Sequence, residues 1–481
     1  MSRRQTLFRS FLAGAILLGF FAAVASLYLM RDHAAGEKAL RIERDDLEAR
    51  GLLVPLDRLV PKPSPEGIRN GEELLRLLED LKPLGKEFPN LLNGPETMAF
   101  IRPGTAAPAA SRPVPLLHPP KGETSPSWSE LRDQYVRAAP ILAQARMAWA
   151  QPVGLDHQQA SLKPRYDLGG LQKYGAWLRS GTMLEIHDGN LSEAMENLWE
   201  MRHISVLMGS SKNLVPAVME IGMWTFTVYG PLWEILQAPG LTDLELRELQ
   251  ELLSQENFLE KSILAMKVEV AIAPEVFATM ARLSSQDISW TALSTPGPEH
   301  LVPLRNALWP YAWADGDLAR VFSFWKSAIP LAQELALKRN WREILPRIPE
   351  DPDLSDFDEW RFPFSSISVS GGMIRGLLLS TVKIEARRQL ALAAVALARY
   401  KLTYGRYPDS LAELTPYFLT SVPRDWFDGE PLKYRLLPDG RYLLYSVHED
   451  GVDDGGDPSA KKGETTLNNG RDLVWPTAEN P

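Results

Sequence analysis

Four aspartates fall within eight residues near the end of the chain: Asp450, Asp453, Asp454 and Asp457. Gly451, Gly455 and Gly456 stand among them and permit tight backbone turns. Carboxylates this crowded repel one another unless a cation or solvent intervenes. A hard divalent cation takes roughly six to eight oxygens from carboxylates, carbonyls and water, which is calcium chemistry. The spacing is not the Asp-x-Asp-x-Asp-Gly of an EF-hand loop. Two readings stay open: a loop for calcium or another divalent cation, and a solvated acidic tail.

The remaining polar residues define no familiar catalytic constellation. The seven histidines are His33, His118, His157, His187, His203, His300 and His448, and none pairs with another at four-residue spacing on one helix. His187, with Glu185 and Asp188, lies near His203 across a predicted helical hairpin. That grouping fits a metal or acid–base site, but a hydrogen-bonded turn histidine is the expected reading. The chain contains no Gly-x-Ser-x-Gly elbow, no phosphate loop and no Gly-x-Gly-x-x-Gly. It has no cysteine, which excludes disulfides, thiolate zinc sites, iron–sulfur clusters and cysteine nucleophiles. No catalytic residue is assigned. Trp290, Trp309, Trp313 and Trp325 either line a glycan- or peptide-binding groove or pack between helices. Packing is the expectation.

These residues need a large scaffold. The chain has 481 residues, 45% hydrophobic and 23% charged, a composition that supports two or three folded domains. The net charge of −9 argues against nucleic acid as a partner of the whole chain.

Arg3, Arg4 and Arg9 precede an uncharged run from Ser10 to Met30. About 20 apolar residues in a helix cross a bilayer. The basic flank places the N-terminus in the cytoplasm and the body outside it. A secretory signal peptide with a cleavage site near Ala23-Val24-Ala25 is the competing reading, but Leu27-Tyr28-Leu29-Met30 continues the apolar run past that site. An uncleaved, single-pass anchor with the body of the chain exported is the expectation.

Asp32–Arg50 predicts a charged, solvated helix leaving the membrane, and Glu72–Leu81 a short amphipathic one. Pro83–Ser127 is rich in Pro, Gly and Ala and reads as a long loop. Helices follow at Ser129–Gln151, strained near Pro140, at Leu168–Ile186, and from Leu191 to Met208. Between the last two, His187-Asp188-Gly189-Asn190 is a turn, with Asn190 as N-cap. This pair resembles a single tetratricopeptide-type hairpin, without a repeat. Val215–Leu236, Thr242–Leu253, Phe258–Leu283 and Asp315–Leu337 continue the helical pattern. Met373–Tyr404 reads as one helix about 45–50 Å long. Its Lys383, Glu385, Arg387 and Arg388 argue against a second span.

The long helix leads to Tyr404-Gly405-Arg406-Tyr407-Pro408, a short helix Ser410–Leu414, and the loop Val422-Pro423-Arg424-Asp425-Trp426-Phe427-Asp428-Gly429-Glu430-Pro431-Leu432. Two alternating runs, Lys433–Leu437 and Arg441–Val447, flank Pro438-Asp439-Gly440, a hairpin signature. Tyr445-Ser446-Val447-His448-Glu449-Asp450-Gly451 then enters the acidic cluster. This order resembles the globular part of the major pseudopilins of type II secretion, over about Lys383–Val474. The whole chain also resembles membrane-anchored proteins of planctomycete-type bacteria that join such a tail to a helical body. The resemblance implies a structural calcium in the acidic loop, with Asp472 closing it from the far side. It implies that Asp425 and Asp428 stabilise a turn. The chain departs from the pattern in two ways. More than 300 residues separate the anchor from the long helix, and the anchor lacks the Gly-Phe-Thr-Leu-Ile-Glu peptidase site. The tail reads as a borrowed module, not an assembling pilus subunit.

The expected fold class is mainly α: a transmembrane helix (1–31), a juxtamembrane and Pro-rich region (32–127), an irregular α-helical array (128–364), and a small α+β module with a long helix and β-hairpin (365–481). The expected function is an extracytoplasmic interaction or scaffold protein, anchored by a single pass in a bacterial inner membrane with a periplasmic body, linked to secretion or the cell envelope, with protein partners. The alternative is an exported hydrolase whose active site assembles only in the fold.

Overall fold

A computed structural model describes residues 3–87, 98–102, 105–108, 128–156, 166, 168–282, 301–348, 360–368, 371–457 and 471–475. The chain is mainly helical, with a small three-stranded antiparallel sheet near its C-terminus. It divides into two compact units. The first comprises Met1–Leu59, Lys267–Pro330 and Pro349–Ile374, and the second Val60–Met266, Leu331–Ile348 and Arg375–Pro481.

The first unit begins with a continuous helix, Arg3–Ala49. Residues 16–28 of this helix are exposed on every side, and burial begins at Leu29. From there Asp32, Gly36, Leu40, Glu43 and Leu47 recur at three- and four-residue steps along the packed side. The charged stretch Asp32–Arg50 is therefore no free stalk. A Cβ on Gly36 would lie 2.8 Å from the backbone nitrogen of Gly316, so a glycine permits this approach. Lys326 pairs with Glu43 at 2.6 Å and Asp46 at 3.1 Å. Asp317, fully buried, accepts hydrogen bonds from Trp309 Nε1 (3.0 Å), the Phe364 N–H (3.1 Å) and the Ser365 N–H (2.7 Å). Phe277, Trp309 and Phe364 form an aromatic cluster with centroids 4.8–5.7 Å apart. Trp309, Trp313 and Trp325 are all buried, as helix-packing residues are. Trp290 lies outside the described residues.

In the second unit, Ser64 caps the helix Pro65–Glu79 by accepting from the Gly67 N–H at 3.0 Å. The helix Trp128–Trp149 runs unbroken through Pro140. Gly169–Asp188 and Leu191–Met208 pack as a helical hairpin around Gly189, whose φ of 83° closes the first helix. Asn190 occupies the N-cap position but does not cap. Its side-chain amide instead donates to Glu185 Oε2 at 2.8 Å. The apolar run after Asn213 forms Leu214–Met223 and Tyr229–Gln237, joined by a π-helical turn, Trp224–Val228. Thr242 and Glu245 form a capping box at the start of Asp243–Ser254. The Pro83–Ser127 region is not wholly loop. Met98–Arg102 and Thr105–Pro108 pair as antiparallel strands.

The helix Gly371–Tyr404 buries a continuous apolar run, Leu390 to Leu397. Within the second unit its polar residues face partners. Glu385 accepts from the Phe258 N–H at 2.6 Å, Thr381 meets Ser262 at 2.8 Å, and Arg399 pairs with Asp243 at 2.7 Å. Lys433–Leu436 pairs with Tyr442–Ser446, which also pairs with Leu473–Val474. The hairpin closes at Pro438-Asp439-Gly440, with Gly440 at φ 80° and the Leu437 N–H donating to the Arg441 carbonyl at 2.7 Å.

Candidate functional site

The acidic loop hangs from the end of the strand Tyr442–Ser446, which a buried carboxylate locks in place. Asp425, fully buried, accepts from the Phe427 N–H (3.0 Å), Ser446 Oγ (2.8 Å) and the Val447 N–H (2.8 Å). Burial pushes its carboxyl up to about 6 against these hydrogen bonds. Asp428 accepts from the Glu430 N–H at 2.8 Å. Both aspartates stabilise turns, as expected. Beside them, Gly405 ends the long helix at φ 74°, and Tyr434 donates to the Pro408 carbonyl at 2.7 Å. Tyr400 reaches Glu413, which also accepts from the N–H groups of Asp409 and Ser410.

His448 (φ 56°) and Gly451 (φ 63°) turn the chain into the loop. Asp450 accepts from the Val452 N–H at 3.1 Å. Asp453 accepts from Tyr445 OH at 2.8 Å and from the Gly455 N–H at 3.0 Å, which hold its carboxyl below the usual range. Asp454 and Asp457 share Arg471, at 3.5 and 3.8 Å. Gly455 and Gly456 sit at φ 75° and 85°, a conformation that favours glycine. Asp472 lies 2% exposed beneath the loop. Its Oδ2 accepts from the N–H groups of Gly456 (2.7 Å) and Asp457 (3.2 Å), while Oδ1 is buried without a hydrogen-bond partner. Burial pushes the Asp472 carboxyl up. Asp472 thus closes the loop through backbone N–H groups. Among the described residues, no three His, Asp or Glu side chains converge as a metal-ligand group.

His187 and His203 have separate partners. His187 Nδ1 lies 2.9 Å from Asp188 Oδ1, and Asp188 also pairs with Arg132. His203 stacks on Trp149 at 5.8 Å.

Two buried polar clusters escaped the sequence reading. In the first, Arg146 holds Glu200 (3.1 Å), Asn197 (2.6 Å) and Glu193, while Tyr174 donates to Glu200. Burial pushes the Glu200 carboxyl up against these partners. The signal was present, because Glu193, Asn197 and Glu200 occupy one helical stripe at steps of four and three. In the second, Lys261 bridges Glu220 and Glu256, and Arg202 meets Glu256 at 2.8 Å. In both clusters the charged groups pair with one another. Glu234 is fully buried, and neither carboxyl oxygen has a hydrogen-bond partner. Burial pushes it up to about 9, so it packs as a neutral acid at neutral pH.

One helix among the described residues is long and apolar enough to cross a membrane. Its apolar window, within Ile16–Ala49, is entirely unburied. Ile16, Leu17, Leu18, Phe20, Phe21, Val24 and Leu27 are exposed. No protein-family model matches the chain, and no curated protein or solved structure matches it.

Proposed function

We propose that the chain is a membrane-tethered interaction or scaffold protein whose folded body lies outside the cytoplasm. The observation that carries this reading is the N-terminal helix. A stretch of bare Leu, Ile and Phe side chains in water is unfavourable by roughly 25 cal/mol per Å² of apolar surface, and lipid removes that cost. The arginines before it support the orientation, with the N-terminus inside and the body in the periplasm. The large, mainly helical body supports a binding role, and protein partners in secretion or the cell envelope are its proposed targets.

The tail is proposed to be a pseudopilin-like module. Its long helix, Gly405 terminus, turn-locking Asp425, hairpin and acidic loop occur in the order that resemblance requires. Calcium in the loop belongs to the same proposal, with Asp450, Asp453, Asp454, Asp457 and Asp472 as oxygen donors. The unpartnered Asp472 Oδ1 supports it. The calcium would be structural, offsetting repulsion among the carboxylates.

The test is fractionation together with a C-terminal reporter. Full-length protein should sediment with membranes, resist alkaline extraction and dissolve in detergent. A reporter active only in the periplasm should be active. Full-length chain in the soluble fraction, or activity only from a cytoplasmic reporter, would overturn the proposal.

A further inference from the structure

We infer that the helix Val302–Ala312 is a second membrane contact, lying in the headgroup region of the bilayer that the N-terminal helix crosses. The inference rests on that membrane reading and deepens it. On a helix at a water-facing surface, the polar side points outward. Here the reverse holds. Arg305, the one charged residue between Val302 and Ala312, is fully buried. Leu301, Leu304 and Tyr311 are 37%, 53% and 78% exposed, and Leu308 is half-buried between them. Their steps of three, four and three residues make one apolar stripe along the helix.

An exposed apolar stripe has several imaginable occupants, and the position of this one selects lipid. The N-terminal helix is bare through residue 28 and packs from Leu29 onward. Burial thus begins where the apolar run ends, and the helix Val302–Ala312 packs against the N-terminal helix. Trp313, the residue just past its end, donates its indole N–H to Asp32 at 3.0 Å. Arg361 reaches the same Asp32 carboxylate at 3.0 Å and the Tyr28 hydroxyl at 3.5 Å. Trp360 packs edge-on against Trp313 at 5.4 Å. Trp313 is buried beneath this group, while Tyr28 is exposed and Trp360 and Arg361 are half-buried, and these three are of the residue types that occupy a membrane–water boundary. Tyr311, the last residue of the stripe, stands two residues before Trp313. A helix with an apolar outer face and no outward charge, held there, lies with its side chains about 5–10 Å into the headgroup–acyl boundary.

The absence of cysteine makes the test direct, because each introduced cysteine carries the sole label. Leu304→Cys, Tyr311→Cys, Phe21→Cys and Asp45→Cys would be labelled with an environment-sensitive fluorophore in the full chain. Each would be reconstituted in phosphatidylcholine/phosphatidylglycerol vesicles containing shallow or deep lipid quenchers. Residue 45 lies about 20 Å further along the helix than residue 32. Labels at 304 and 311 should be quenched about twofold or more over the label at 45, and more by the shallow quencher than by the deep one. The label at 21 should be quenched in the same preparation. Quenching at 21 without quenching at 304 and 311 overturns this inference and leaves the anchor standing. A blue shift at 304 without lipid quenching means that protein covers the stripe, which also overturns it. No quenching at 21 overturns the anchor and this inference together.

Discussion

Replacing Asp317 tests the packing of the first unit most sharply. Its carboxylate gathers Trp309 Nε1 and the N–H groups of Phe364 and Ser365 at 2.7–3.1 Å with no solvent exposure. Alanine leaves three buried donors unpaired, each costing about 1–3 kcal/mol. The carboxyl is itself pushed up from 3.8 to about 6, mainly by burial. A raised folded-state value means that the folded chain holds a proton that the unfolded chain releases. Stability is therefore full below about pH 4 and falls by about 3 kcal/mol as the pH rises through 6. The Asp317→Ala penalty should be larger at pH 4.5 than at pH 7.5 by about 2 kcal/mol. Each 3 kcal/mol corresponds to about 6–12 °C in Tm for a unit of this size. Thermal melts of the full chain in detergent, followed by circular dichroism at both pH values, read this directly. Asp317→Asn should flatten the slope, and Asp425, also pushed up to about 6, adds a second slope of the same sign. An Ala variant melting within a degree or two of the parent at both pH values would refute the three-donor account. An Asn variant with an unchanged slope would refute the assignment of the titration.

Calcium at one hundred times its Kd should stabilise the chain by about 2.7 kcal/mol, and Asp472→Asn should abolish that gain in Tm; no shift in the parent at millimolar calcium would dispose of the loop as a calcium site. Gly36→Leu should force the N-terminal helix away from Gly316, at a cost of about 1–3 kcal/mol or more, while membrane sedimentation is retained; an unchanged Tm would mean that the close approach is absent. Leu198→Ala, in the fully buried face of the helical hairpin, should cost about 2–5 kcal/mol in chemical denaturation, and a loss below about 1 kcal/mol would refute its place in the core.

Much of the helical content was legible because its signals are local. Thr242 followed by Glu245 marks a helix start, and Pro438-Asp439-Gly440 marks the hairpin, through side chains that act on their own backbone. What was not legible depends on distant partners. Asn190 has the chemistry of a cap, yet Glu185 across the turn takes its amide. The run after Val215 reads as one helix, and nothing in its composition announces the π turn at Trp224–Val228. Glu193, Asn197 and Glu200 look like a solvated stripe until Arg146, on another helix, turns them inward. The outward face of Val302–Ala312 was hidden for the same reason. Its composition is that of a core helix, and only the burial of Arg305 shows which side faces the protein. The first unit gathers three separated stretches of chain, a closure that no periodicity encodes.

The N-terminal helix runs 47 residues without a break, about 70 Å, and its second half is built into the first unit. No hinge lies between the bare half and the packed half. Were this helix to cross a bilayer as proposed, a lean imposed by a thicker or thinner membrane would pass along the rod, and the first unit would pivot as a lever does on its fulcrum.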